Sequence, residues 1–285
     1  MRFGKSTALA AIAAFSLFGL SGAQAGAMRA GFDTTTMFDN DDGSTALISF
    51  GFASAIDFNG VDFTGGFVNN NGNMTLTSPL GTFTPSAITA GTSPIFAPFF
   101  ADVDTRSRTG AAQPTRYGEG AVGVHDAFGI TWLDVGYFAV NYGQLNSFQF
   151  VLIDRSDVAV GDFDFEFNID TITWESGEAS GSDSEGLGGT SAAMGWSNGA
   201  GSFYQQPGSL VNGAFLDSGP AATALIHNER NSSLSDGGLT DGRYFFEVRN
   251  GTVQPPVTTD IPEPFTLSLL GAGLAGIAMA RRKRA

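Results

Sequence analysis

Almost all the residues able to do chemistry in this chain are carboxylates. Asp102 and Asp104 stand two apart, which on a strand puts both on one face, roughly 7 Å from each other. A glycoside hydrolase uses a carboxyl pair at about that separation, one as acid and the other as base or nucleophile. With 28 acidic residues in 285, close pairs also arise from composition alone. Asp39-Asn40-Asp41-Asp42-Gly43 is an oxygen-rich turn of the kind that holds calcium. It does not fit an EF-hand loop, because placing Gly43 at the sixth position puts Phe38 at the first. Calcium is thus the one cofactor to test, with Asp39, Asp41, Asp42, Asp102 and Asp104 as candidate ligands. Asn69-Asn70-Asn71-Gly72-Asn73 reads equally as a turn built from residues that tolerate positive φ. Asp162, Asp164 and Glu166 share one side of an alternating pattern and read as a solvated outer face.

Other chemistry is poorly supplied. The chain has no cysteine, so disulfides and thiolate metal sites are excluded. His125 and His227 stand alone, and no serine has a histidine at a spacing that argues a triad. No glycine-rich segment follows a strand and opens a helix as a phosphate loop does. Trp132, Trp174 and Trp196 suit a core better than a sugar-stacking platform. The reading is non-enzymatic.

The elements that position these residues are strands. Thirty-nine glycines and short apolar stretches favour turns over long helices. Ile56–Phe63 holds two short strands around Asn59-Gly60, a pair suited to a two-residue hairpin turn. Phe148–Ile153 has the continuous apolarity of a strand covered on both faces. Phe163, Phe165, Phe167 and Ile169 alternate with polar residues, and the phase slips near Asp170-Thr171, which predicts a bulge or strand end there. Tyr244–Arg249 reads as the last strand, and Ser176–Ser191 as a long mobile loop. The expected fold is all-β, a single antiparallel β-sandwich-like domain over residues 28–252, followed by a Pro/Thr stalk at 253–261.

Both ends carry addresses. Arg2 and Lys5, the apolar stretch Ala8–Leu20, and the small residues Ala23 and Ala25 before Gly26 form a secretory leader over residues 1–25. At the other end, Pro262-Glu263-Pro264 precedes an apolar run, 265–280, and then Arg281, Arg282, Lys283 and Arg284. As a helix the run spans about 24 Å, short of a roughly 30 Å hydrocarbon core, and the terminal cations can snorkel to make up the difference. The prolines keep the triplet extended and open to a protease. Without the two leader cations and four tail cations, residues 26–260 keep eight of the 14 cations, all arginine, against 27 of the 28 acids. A surface that acidic repels nucleic acid and attracts divalent cations or basic partners.

The tail, residues 262–285, resembles the PEP-CTERM sorting signal of Gram-negative bacteria. That resemblance implies an exosortase-type membrane protease as partner, a transient inner-membrane anchor, and delivery to the cell surface or beyond. The ectodomain resembles the nidogen-like domain of extracellular adhesion and matrix proteins. The resemblance runs through Asp41–Ser44, Ile56–Gly60 and Phe67–Asn73, is strongest at Ile95–Thr105, and continues through Thr131–Phe138, Asn146–Ile153, Phe163–Gly177, Ala193–Trp196 and Pro207–Ser209. It implies a β-rich extracellular module for cell–matrix adhesion or biofilm assembly, acting on matrix or surface proteins. The alternative is a carbohydrate-binding module for exopolysaccharide that uses calcium.

Overall fold

The computed structural model describes residues 27–106, 112–230 and 240–256. Ala23, Ala25 and Gly26 of the leader lie outside the described residues, as do 257–261 of the stalk, the Pro262-Glu263-Pro264 triplet, the apolar run and the terminal basic cluster. Among the described residues no helix is long and apolar enough to cross a membrane.

The protein is all-β. Its helical content among the described residues is two 3-10 turns, Glu178–Ser180 and Leu225–His227. In chain order the strands are β1 (Thr35–Thr36), β2 (Ile48–Ser49), β3 (Ile56–Asp57), β4 (Asp62–Phe63), β5 (Gly65–Asn69), β6 (Asn73–Thr75), β7 (Ile95–Phe100), β8 (Val103–Asp104), β9 (Arg116–Val122), β10 (His125–Tyr137), β11 (Asn141–Asp154), β12 (Phe163–Thr171), β13 (Ala193–Ser197), β14 (Phe203–Gln205), β15 (Arg243–Arg249) and β16 (Thr252–Val253). One antiparallel sheet runs β1-β9-β10-β11-β12-β15-β16, with β8 also paired to β10. A second runs β14-β13-β7-β6-β5-β2, and β3-β4 is a separate hairpin. Val253 pairs with Val248, so the last strand extends into the segment read as stalk.

Local sequence explains several of these elements. Asn59 and Gly60 take φ of 61° and 77° between β3 and β4, as a two-residue hairpin turn requires. In β12, Phe163, Phe165 and Phe167 all face inward and are fully buried. Ser147 pairs with Thr171 but Phe148 with Ile169, so Asp170 is the extra residue of a bulge. Beyond it Ile172 and Trp174 return to the core.

The two sheets share an aromatic core. Phe96 of β7 lies 5.0 Å from Phe150 and 4.8 Å from Phe165 of the facing sheet, ring centre to ring centre. Phe246 of β15 stacks on Phe165 at 4.6 Å and meets Trp196 of β13 at 6.3 Å. Trp132 and Trp174 are fully buried and Trp196 nearly so, which places all three indoles in the core. In a domain without disulfides, this burial is the main favourable term.

One expectation is overturned. The acidic row at β12 is not solvated: Asp162, Asp164 and Glu166 are 3%, 2% and 0% exposed. Arginines cover it. Arg29 gives Glu166 two hydrogen bonds of 2.6 Å, and Arg243 approaches the same carboxylate at 3.8 Å. Arg155 and Arg249 close on Asp164 at 2.6 and 2.7 Å, and Arg249 lies 3.9 Å from Asp162. The outer face of this sheet is crossed by the segment 27–32. Arg29 N donates to Gln149 Oε1 and Gln149 Nε2 donates back to Arg29 O, at 2.9 and 2.8 Å. Phe32 seats against Gly129, where a Cβ would stand 2.4 Å from the ring. An unpaired buried carboxylate costs several kcal/mol, so these acids are tolerable inside only because guanidinium groups enter with them.

Candidate functional site

Three chain segments meet near the junction of β7 and β8. They are the loop after β1 around residues 38–44, the turn at Ala101-Asp102, and the 3-10 turn Glu178–Ser180. They bring one carboxylate oxygen each from Asp41, Asp42 and Asp102 within 4.8 Å of one another. Ser180 Oγ donates to Asp102 Oδ2 at 3.5 Å, and Thr84 Oγ1 lies 3.1 Å from the same hydroxyl.

A buried asparagine hub holds this arrangement. Asn69, Asn70, Asn71 and Asn73 are at most 1% exposed, so the run is more than an exposed turn. Asn70 Nδ2 donates to the carbonyls of Asp41 and Val103 at 2.5 and 2.6 Å. Asn71 Nδ2 donates to Asp42 Oδ1 at 2.9 Å, and Asn71 Oδ1 accepts from Val103 N at 3.0 Å. Asn70 and Asn71 thus tie the acidic loop to the start of β8. Asn40 closes the loop on itself by accepting from Gly43 N at 2.8 Å. Two glycines permit the close approaches: a Cβ at Gly72 would lie 1.8 Å from Phe99 O, and one at Gly177 would lie 2.4 Å from Asp102 Oδ2.

The electrostatics are unfavourable as they stand. Burial pushes the Asp102 carboxyl up to about 7, and the charges of Asp41 and Asp42 add to this against the Ser180 hydrogen bond. Burial also pushes Asp41 up to about 6, helped by Asp104 and Asp42 and opposed by Arg106.

The candidate ligands separate clearly. Asp41, Asp42 and Asp102 converge. Asp39 is exposed and outside the group. Asp104 takes a different partner, receiving Arg106 Nε and Nη2 at 3.0 and 2.6 Å and Val140 N at 3.0 Å. Asp102 and Asp104 therefore do not act as a facing pair, because Asp102 lies in the turn before β8 rather than on the strand. Sequence reasoning missed Ser180 and the hub role of the asparagines. Ser176–Ser191 is irregular as expected, but it is pinned. Tyr137 Oη donates to Ser184 O at 2.7 Å, and Asp183 Oδ1 accepts from Glu185 N and Leu187 N.

A second feature lies beside Arg29. A cleft of about 420 Å³ on the outer face of the larger sheet is lined by His125, Arg155, Asp164 and Phe245, among others.

A sequence model described as the nidogen-like domain matches residues 65–250, and one described as the PEP-CTERM protein-sorting motif matches residues 260–284. No curated protein and no solved structure matches the chain.

Proposed function

Because this chain belongs to the nidogen-like domain family, an extracellular family, and ends in the signal that exosortase processes, we propose that it is a non-enzymatic adhesion or matrix-assembly protein working at the cell surface. Its tail holds it in the inner membrane until a cut near Pro262-Glu263-Pro264 releases the domain for sorting. The domain then acts by contact with other proteins.

The observation that carries protein contact over sugar stacking is where the aromatic rings lie. The three tryptophans are buried, whereas Phe38 is 94% exposed in the acidic loop itself. A ring this exposed, rimmed by carboxylates, suits an apolar socket with a basic edge on a partner protein. Replacing Phe38 with serine lowers cell–cell association about tenfold and leaves the thermal midpoint unchanged; an aggregation assay on cells carrying each form measures it. Unaltered aggregation would remove protein contact through this loop from the proposal.

Carbohydrate binding is the second reading, favoured by the cleft beside Arg29, whose lining includes Arg29, His125, Arg155 and Glu166. Saturable retention of the protein by matrix polysaccharide from the same cells, insensitive to Phe38→Ser, would favour it over adhesion.

Sorting has its own test. Changing Pro262, Glu263 and Pro264 together to alanine removes the triplet that gives the sorting signal its name. The chain then stays uncut in the inner membrane, seen as a larger species in the membrane fraction and none at the surface. Normal surface delivery of this variant would contradict the proposed route.

A further inference from the structure

We propose that Asp41, Asp42 and Asp102, joined by the Ser180 hydroxyl, form a calcium site that staples the 38–44 loop to the Ala101-Asp102 turn and to the Glu178–Ser180 turn. It goes beyond the adhesion reading and does not depend on it.

The first argument is charge compensation within this molecule. Along β12, each of three buried acids meets arginine. At the loop cluster, among the described residues, the cation that arrives is Arg106, and it is shared. It holds Asp104 with two hydrogen bonds and touches Asp41 Oδ2 at 2.9 Å. Asp102, 1% exposed, has a single long contact from a neutral hydroxyl. Asp41 Oδ1 is sealed from solvent and accepts no hydrogen bond. Buried carboxylate oxygens are ordinarily satisfied. Asp102, shut from water with no cation upon it among the described residues, and the bare Oδ1 of Asp41 leave a place for a positive charge from outside the chain.

The second argument is ligand chemistry. The donors are carboxylate and hydroxyl oxygens, with no nitrogen or sulfur, which selects a hard cation. Calcium–oxygen bonds of 2.3–2.6 Å place opposite ligands about 4.6–5.2 Å apart. A set of oxygens within 4.8 Å of one another closes around one such ion. Asp42 is exposed, leaving room for water to complete the shell. Both the partial protein shell and the extracellular setting point to a Kd of about 10⁻⁴–10⁻³ M. A pKa of about 7 at Asp102 agrees with an unmet charge there.

The third argument is what the ion would join. Asp41 and Asp42 precede residue 65, where the match to the family begins, and Asp102 and Ser180 fall within it. The site therefore fixes a loop that precedes the matched stretch onto the body of the domain. In a chain without cysteine it replaces a covalent cross-link.

The test uses the full chain in detergent, stripped with chelator and titrated with calcium chloride. Calorimetry is expected to show one saturable site, and 10 mM calcium to raise the thermal midpoint by about 4–8 °C. Asp102→Asn should bind at least tenfold more weakly and lose most of that rise, while its midpoint in chelator stays at or above that of the parent chain. A purely structural role for Asp102 would lower it. Asp42→Asn, on the exposed side, should show the same loss of affinity and guards against a folding defect in the first variant. Asp126→Asn, exposed and at the end of β10 opposite the one that pairs with β8, should respond like the parent. Absence of binding heat and of any thermal shift at 10 mM calcium would overturn the site, as would a parental response from both Asp102→Asn and Asp42→Asn.

Discussion

Glu166→Ala lowers the unfolding free energy of the domain by about 3–5 kcal/mol, the range for breaking a buried ion pair by removing one partner. Glu166 is fully buried, so solvent screening does not reduce the effect. The substitution leaves Arg29 without the acceptor of its two 2.6 Å bonds, and takes from Arg243 the carboxylate 3.8 Å away. The loss also spreads. Without Glu166, Arg29 loses both of these side-chain bonds while keeping its backbone bonds to Gln149, and the crossing segment 27–32 loosens over Phe32. Urea unfolding reads the change as a lower midpoint, and amide exchange at residues 149–151 reads the loosened cover. A change under about 1 kcal/mol would mean the row behaves as a surface pair network. The charge-preserving variant Glu166→Asp keeps part of the stability, because one arginine can still reach a shortened carboxylate.

Gly72→Ala costs still more, at least about 4 kcal/mol, the range reserved for a definite structural lesion. Two penalties coincide there. The residue has φ of +73°, a conformation that costs a side chain about 1–2 kcal/mol. Its Cβ would also stand 1.8 Å from Phe99 O, a backbone atom that cannot rotate away. Relief requires β7 to move from the β5–β6 turn, which disturbs Asn70 and Asn71 and with them the positions of Asp41 and Asp42. Gly60→Ala is the informative contrast. Its φ is +77°, yet nothing lies within 4 Å of its Cβ, so only the conformational penalty applies. Thermal or urea midpoints for the two variants should differ by at least about 2 kcal/mol. Equal effects would show that close approach at Gly72 is not what selects glycine there.

What the sequence could and could not show follows from the range of each interaction. The Asn59-Gly60 turn and the bulge at Asp170 are local events, written in adjacent residues and readable there. Alternation in β12 correctly separated two faces, but alternation says nothing of what lies on a face. The cover for Glu166 comes from Arg29, 137 residues away, and that distance defeats any window. The clue was compositional: eight cations in the ectodomain, all arginine, the side chain suited to buried carboxylates. The acidic loop was likewise visible as oxygen-rich, yet spacing could not separate Asp102, which turns to Ser180, from Asp104, which turns to Arg106. Ser180 carries no local signal, because hydroxyls are common in its segment. The asparagine run was legible as a turn and not as a hub, since the bonds that bury it reach partners far along the chain, such as Trp132 and Val103 on Asn70.

The crossing segment also sets the order in which the domain can be finished. Arg29 belongs to the first described residues, and Arg243, whose Nη2 donates to Ala27 O across 216 residues, belongs to nearly the last. Synthesis and export both proceed from the amino end. The opening segment therefore reaches the outside long before β15 exists to receive it, and β12 arrives with three acids and only part of its arginine complement. Closure waits until β15 has been made and exported, close to the end of the nidogen-like domain. The sorting motif at 260–284 follows β15 and so emerges only once the domain has the arginines it needs to complete itself.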